Sequence, residues 1–182
     1  MTTREETIRA FLKEAGWEKA ERRPLAGDAS TRRYERLSLS GRPAVLMDWP
    51  SGPDAPVIEG RAAYSRIAHL AEDCRPFVAV GEHLRGLGLA APEIFARDLA
   101  HGLLLLEDLG DHVYGEWIEK GEGPAGEPLD DLYRAGMATI LRLQSVPPPA
   151  PPPVCDATPH SLPPRYDTAL RPQLDVLPHW SF

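Results

Sequence analysis

The N-terminal stretch repeats its apolar residues with the period of a helix. One face of that helix carries Ile8, Phe11 and Leu12. Thr3 and Glu6 have the spacing of a capping box, in which each side chain meets a free backbone N–H at the helix start. Gly16 suits the position just beyond a helix end. The pattern predicts a helix over residues 3–16.

The next segments have strand character. Between Tyr34 and Leu39, polar and apolar residues alternate with period two, which is typical of a half-buried strand. Turn-forming residues stand before and after this segment, and Pro50 ends the strand that follows. The three predicted strands cover residues 17–25, 34–39 and 44–49.

The second part of the chain returns to helical spacing. The pattern predicts a helix over residues 75–87 with one apolar stripe. That stripe consists of Phe77, Val80, Leu84 and Leu87. Two further strands are predicted over residues 92–97 and 102–107, followed by helices over 113–120 and 129–144, and a possible last helix near the C-terminus. One helix between the third and fourth of five strands indicates an α+β fold.

Composition narrows the functional class. The 182 residues carry a net charge of −7, which argues against general nucleic-acid binding. The N-terminus lacks the apolar core of a signal peptide, and the longest apolar run, Leu103 to Leu106, is far too short to span a bilayer. Cys74 and Cys155 have no partner at metal-binding spacing. We therefore expect a soluble cytoplasmic protein with reduced thiols and no membrane partner.

Proline is concentrated late in the chain. The run from Val146 to Val154 contains six of the 20 prolines and favours a semi-rigid polyproline conformation. We interpret residues 146–153 as a linker, with a ligand for an SH3-type domain as the alternative.

The turn between the first two strands is a candidate anion-binding loop. Its small residues can bring backbone N–H groups near phosphate oxygens, and its hydroxyls and arginines add donors and positive charge. The residues concerned are Gly27, Asp28, Ala29, Ser30, Thr31, Arg32 and Arg33. An ordinary structural hairpin remains the alternative interpretation.

Three stretches together resemble the aminoglycoside-phosphotransferase-like kinases. They are "LAGDASTRRYERL" (25–37), "AVLMDWP" (44–50) and "DCRPFVAVGEHLRGLGLAAPEIFARDLAHGLLLLEDLGD" (73–111). Within that family they look most like the bacterial cell-wall sugar kinases, which phosphorylate N-acetylmuramate and N-acetylglucosamine at the anomeric position. The resemblance implies a protein-kinase-like small lobe over residues 1–107, a hinge over 108–111, and an incomplete helical large lobe over 112–182.

The resemblance also implies partners and a site. ATP and a sugar acceptor would be the ligands, with Mg²⁺ as cofactor. The fifth strand would run into the hinge, whose backbone C=O and N–H groups read the adenine edge. The implied nucleotide-binding residues are Gly27, Asp28, Ala29, Ser30, Thr31, Arg33, Glu107, Asp108 and Leu109. Glu82 either holds a strand-three lysine, as in such kinases, or is a solvated helix residue. Residues 51–73 are either a lid near the acceptor or a surface insertion.

The third strand departs from the family pattern. Met47 stands where the phosphate-pairing lysine would fall, and the neighbouring Asp48 would repel a phosphate. A substitute positive charge would have to come from Arg32, Arg33 or Arg75.

A second departure concerns catalysis. Phosphoryl transfer needs an aspartate at the acceptor hydroxyl and ligands for Mg²⁺, and the sequence contains no His-Gly-Asp motif. No catalytic or metal-binding residue is therefore assigned, and the Mg²⁺ ligands are expected outside this chain. We expect the N-terminal portion of an ATP-dependent amino-sugar phosphotransferase that is inactive alone. The alternatives are a non-catalytic nucleotide-binding module and an interaction module.

Overall fold

A computed structural model of the chain describes residues 2–26, 32–52 and 71–147. The hairpin tip at 27–31, most of the segment 51–73, the linker from residue 148 onward, Cys155 and the possible last helix lie outside the described residues. The helices are α1 (Arg4–Glu14), α2 (Arg75–Gly86), α3 (Tyr114–Lys120) and α4 (Leu129–Gln144). The strands are β1 (Glu21–Pro24), β2 (Arg33–Leu39), β3 (Arg42–Asp48), β4 (Ile94–Asp98) and β5 (Leu103–Leu106).

The five strands form one antiparallel sheet in the order β1-β2-β3-β5-β4. Strand β3 is central, and its register sets Met47 opposite Tyr34 on β2 and opposite Leu104 on β5. The α+β fold and the small-lobe arrangement predicted from the sequence are confirmed.

Helix α1 covers one face of the sheet. Its predicted capping box is present, because the Glu6 backbone N–H donates to the Thr3 hydroxyl and the Thr3 N–H donates to the Glu6 carboxylate. The core on this side, here called the α1-face core, consists of Ile8, Phe11, Leu12, Trp17, Leu37, Ala44, Leu46, Leu103 and Leu105. The first strand is shorter than predicted: it begins at Glu21, because Trp17 is buried in this core and its N–H closes the end of α1 on the Leu12 carbonyl.

Helix α2 covers the opposite face. The core there, called the α2-face core, consists of Met47, Trp49, Cys74, Val78, Ala79, Leu104 and Leu106. In the predicted apolar stripe, Val80 is 38% exposed, whereas Val78, which is not part of that stripe, is fully buried. The cause is geometric: Cys74 and Val78 lie one helical turn apart and face the sheet, so a residue two positions after Val78 points to the other side of the helix.

Helices α3 and α4 follow the sheet in sequence, and none of their own residues is buried. Several large apolar residues of α4 are exposed, with Tyr133, Met137, Ile140 and Leu141 between 47% and 60% accessible. None of the described helices is long and apolar enough to cross a membrane.

Candidate functional site

An open cleft of about 400 Å³ lies between the β1–β2 hairpin and the segment after β5. Its volume is that of a small-molecule site. The walls combine apolar side chains of the sheet with the backbone of the segment that follows it. The lining residues are Leu25, Ala26, Arg36, Val45, Pro92, Leu106, Glu107, Asp108, Leu109, Gly110 and Asp111.

The segment Glu107–Asp111, called the hinge from here, is fixed at its first residue. The Glu107 N–H donates to the Glu93 carbonyl at 2.8 Å, and its carboxylate accepts from the Glu93 N–H at 3.0 Å. The Gly110 N–H donates to the Asp108 carboxylate at 2.9 Å, which forms a tight turn. The Leu109 N–H and the Glu107 C=O make no hydrogen bond within the described residues. Among the described residues, these two main-chain groups of the hinge therefore have no partner that would compete with a ligand.

Arg36 of β2 ties the hairpin to the hinge. Its Nε lies 2.7 Å from Oδ2 of Asp108, without hydrogen-bond alignment, and its Nη2 donates to Oδ1 of the same carboxylate at 3.2 Å. Both Nη atoms also donate to Asp111, at 2.8 and 2.7 Å. These hydrogen bonds raise the pKa of Arg36 above its ordinary value and lower the pKa of Asp111.

Sequence reasoning missed Arg36. Two signals in the sequence could have identified it: the alternation of β2 places it on the face of Tyr34, and the hinge carries two aspartates that need a cation.

On the third strand, β3, the position expected to carry a lysine holds an apolar residue that solvent does not reach. Met47 is fully buried in the α2-face core. Asp48, the next residue, lies on the opposite face, where its carboxylate accepts from Nε of Arg4 on α1 at 3.0 Å. The strand alternation therefore turns this carboxylate away from the cleft, and the expected repulsion of a phosphate does not arise from it.

The three candidate arginines lie in different places. Arg32 lies with its guanidinium carbon 5.0 Å from the ring centre of Trp49, on the α2 side of the sheet. Arg33 is exposed. By the alternation of β2 it lies on the same face of the strand as Leu37, which belongs to the α1-face core. Arg75 pairs with Asp73 at 3.0 Å and lines a separate cavity of about 590 Å³ between α1 and β4. The structure thus brings Glu107, Asp108 and Leu109 to the cleft, and Arg33 is not among its lining residues.

Glu82 of α2 does not reach β3. Its carboxylate is 41% exposed and accepts from Nη1 of Arg97 on β4 at 2.8 Å. Of the two interpretations left open by the sequence, the structure supports a surface helix residue.

The described residues offer no ready metal site. No group of three or more His, Cys, Asp or Glu side chains within them is arranged to hold a metal ion. Cys74 is buried as a free thiol, and burial raises its pKa, with the nearby Asp73 charge adding to the effect. The Trp49 indole N–H is also buried and has no hydrogen-bond acceptor in this part of the chain.

Comparison with known proteins agrees with this geometry. Residues 21–177 match a family model described as "Phosphotransferase enzyme family". The chain is 39% identical over 155 residues to an N-acetylmuramate/N-acetylglucosamine kinase of Caulobacter vibrioides, a match covering 80% of this chain and 41% of that protein. Kinases of the same description from Pseudomonas aeruginosa and Pseudomonas putida are 33% and 31% identical, over 88% and 85% of this chain and 38% and 36% of theirs. The chain spans about two fifths of the length of these relatives.

Proposed function

Because this chain belongs to the phosphotransferase enzyme family, we propose that it supplies the nucleotide-binding lobe of an ATP-dependent small-molecule kinase. The observation that carries this proposal is the cleft between hairpin and hinge. A planar purine base needs apolar surfaces above and below it and hydrogen-bonding groups along one edge. Leu25, Val45 and Leu106 provide the apolar surfaces. The Glu107 C=O and the Leu109 N–H, which make no hydrogen bond within the described residues, provide the edge.

The phosphates would extend from the base toward the hairpin tip. Gly27, Asp28, Ala29, Ser30 and Thr31 are the residues proposed to cover them, with backbone N–H groups and two hydroxyls as donors. At the other end, the hinge residues Glu107, Asp108 and Leu109 would hold adenine. ATP would supply the transferred phosphoryl group, and Mg²⁺ would neutralise its charge.

The acceptor is proposed to be an amino sugar. The three matched relatives are named for N-acetylmuramate and N-acetylglucosamine. The stretches "GDASTRRY" and "DCRPFVAV" resemble the same group of sugar kinases, which supports this acceptor class.

Catalysis by this chain alone is not expected. The sequence contains no His-Gly-Asp motif, and the described residues present no group of metal ligands. We expect the 182-residue chain to bind adenine nucleotides without turnover. An assay with ATP, Mg²⁺ and N-acetylmuramate tests the second half of this statement. Turnover that disappears when a residue of this chain is substituted would contradict it.

Calorimetric titration tests the first half. Adenosine and ATP should bind the chain, and guanosine should bind more weakly because its edge presents different donors and acceptors to the hinge. An interaction module without a nucleotide site would bind neither adenosine nor ATP. Absence of adenosine and ATP binding would therefore overturn the proposed function.

A further inference from the structure

We propose that Arg36 is a positioning residue: through the carboxylate of Asp108, it holds the Leu109 N–H in the direction that meets an adenine base. This inference rests on the proposed function and adds to it the side chain that shapes the hinge. In the sequence, Leu109 stands between Asp108 and Asp111. The guanidinium of Arg36 contacts both of these aspartates.

The hinge is fixed to the sheet at its first residue without the help of Arg36. The Glu107 N–H donates to the Glu93 carbonyl at 2.8 Å, and the Glu107 carboxylate accepts from the Glu93 N–H at 3.0 Å. Within the described part of the chain, residues 108–111 make no main-chain hydrogen bond to a strand. The side-chain hydrogen bonds that join these residues to the sheet come from Arg36.

One oxygen of Asp108 connects Arg36 to the turn of the hinge. This oxygen, Oδ1, accepts from Nη2 of Arg36 at 3.2 Å and from the Gly110 N–H at 2.9 Å. The second of these hydrogen bonds closes a turn over residues 108–110, with Leu109 at its centre, so it sets the orientation of the neighbouring peptide groups. The Asp108 side chain is 7% exposed, so water has little access to compete for its oxygens.

The register of β2 on β3 places Arg36 beside the cleft. Arg36 is opposite Val45, and both side chains line the cleft. The two Nη atoms of Arg36 also donate to Asp111, at 2.8 and 2.7 Å. A planar guanidinium that bonds with two carboxylates at once is restricted in orientation more than a group with a single contact. Arg36 can therefore hold the segment 108–111 at both of its ends.

Of the two hinge groups proposed to read adenine, the Leu109 N–H depends more on this turn. Adenine presents a ring-nitrogen acceptor, N1, beside its 6-amino donor. In the proposed site, the Leu109 N–H donates to N1 and the Glu107 C=O accepts from the amino group. Loss of the Arg36 contacts would release the turn, so the Leu109 N–H would no longer be held toward N1. Glu107 would keep its hydrogen bonds to Glu93.

The test compares adenosine with 1-deazaadenosine, in which a C–H group replaces N1, by calorimetric titration of the 182-residue chain. We expect the wild type to bind adenosine about 3- to 10-fold more tightly, which is the size of one hydrogen bond between neutral groups. In Arg36→Gln, adenosine affinity should fall by a similar factor, and the ratio between the two nucleosides should approach one. Asp108→Ala should have the same effect. The double variant should lose no more than either single variant, because both residues act through one contact.

Arg22→Gln is the matched control. Arg22 also bonds with two carboxylates, those of Glu5 and Glu35, but it is not among the residues that line the cleft. Arg22→Gln should lower the midpoint of thermal unfolding and leave the ratio between the two nucleosides at its wild-type value. Thermal unfolding also checks that every variant is folded. Asp108→Ala, in which Arg36 can still pair with Asp111, provides the test if Arg36→Gln does not fold.

Four results would overturn the inference. The role of Arg36 is wrong if a folded Arg36→Gln chain keeps wild-type adenosine affinity, or if it binds both nucleosides more weakly at an unchanged ratio. Additive losses in the double variant would show that Arg36 does not act through Asp108. An equal loss of adenosine affinity in Arg22→Gln would assign the effect to general stability. If the wild-type chain binds neither adenosine nor ATP, the proposed function itself fails, and that result is recognised without any variant.

Discussion

Gly102 lies against the backbone of Trp49 with no room for a side chain. The Trp49 N–H donates to the Gly102 carbonyl at 2.8 Å, and a Cβ built on Gly102 would stand 1.9 Å from the Trp49 carbonyl oxygen. Gly102 also has a φ of +66°, in the left-handed region. This contact joins the β4–β5 turn to the end of β3, the strand that carries Met47.

Gly102→Ala should therefore be strongly destabilising. We expect a loss of about 3 kcal/mol or more in the free energy of unfolding, since the left-handed backbone costs about 1–2 kcal/mol and the backbone clash adds to it. Urea denaturation followed by circular dichroism measures the change. Gly41→Ala is the matched control, because Gly41 has a φ of +80° but nothing within 4 Å of the added Cβ. Equal losses in the two variants would show that the clash has no effect.

The sequence predicted most of this fold because the elements depend on local patterns. The capping box at Thr3 and the alternation of β2 are local, and both are present. The apolar stripe predicted for α2 includes Val80, but spacing alone does not say which face of the helix meets the sheet. That choice depends on Cys74 and Val78 docking against β3 and β5, which is a tertiary contact.

The candidate site was only partly predictable for the same reason. Glu107, Asp108 and Leu109 follow a recognisable apolar strand, so their position could be read from the sequence. The ion pairs of Arg36 join residues 72 and 75 positions apart. No local pattern contains that pairing, and the distribution of Arg32 and Arg33 between two faces became visible only through the register of β2 on β3.

Arg22 connects α1 to the hairpin, and its fork geometry should matter for stability. Its Nε and Nη2 donate to Glu35 at 2.7 and 2.9 Å, while Nη1 donates to Glu5 at 2.7 Å. Arg22→Lys keeps the charge but cannot make both contacts, so we expect a loss of about 1 kcal/mol in the free energy of unfolding. Arg23→Lys is the control, because the Arg23 side chain is 81% exposed and its ion pair with Glu21 is long, at 3.7 Å. A similar loss in both variants would contradict a role for the fork.

The Arg22 contacts also predict a pH dependence. The hydrogen bond from Arg22 lowers the pKa of Glu5 below its ordinary value, against a smaller opposing effect of burial. A carboxyl with a lowered folded-state pKa stabilises the fold at pH values above its unfolded-state pKa, and that stabilisation is lost as the pH falls through the folded-state value. Between pH 7 and pH 3, the stability difference between wild type and Arg22→Lys should therefore shrink. Urea denaturation at a series of pH values checks this, and a constant difference would contradict it.

Arg36 should control the ionisation of Asp111 in the hinge. Hydrogen bonds from Arg36 lower the pKa of Asp111 below its ordinary value, because they outweigh the opposing effect of desolvation and the Arg36 charge acts in the same direction. Arg36→Gln should raise that pKa back toward its ordinary value, as measured by carboxyl ¹³C NMR titration. Arg23→Gln is the control, because Arg23 is opposite Arg36 on β1 and has no contact with the hinge among the described ion pairs. An unchanged Asp111 pKa in Arg36→Gln would show that the pair does not persist in solution.

Val45 provides the sharpest test of where adenine lies. Its side chain lines the cleft together with Leu25 and Leu106. Val45→Phe would fill the space between these apolar surfaces, so we expect adenosine affinity to fall by more than about 10-fold, comparable to the effect of steric misfit in a ligand pocket. Val80→Phe on the exposed side of α2 is the size-matched control and should bind adenosine like the wild type. Thermal unfolding of both variants checks that each is folded. Wild-type adenosine affinity in a folded Val45→Phe chain would place the base outside this cleft, even if the chain still binds ATP.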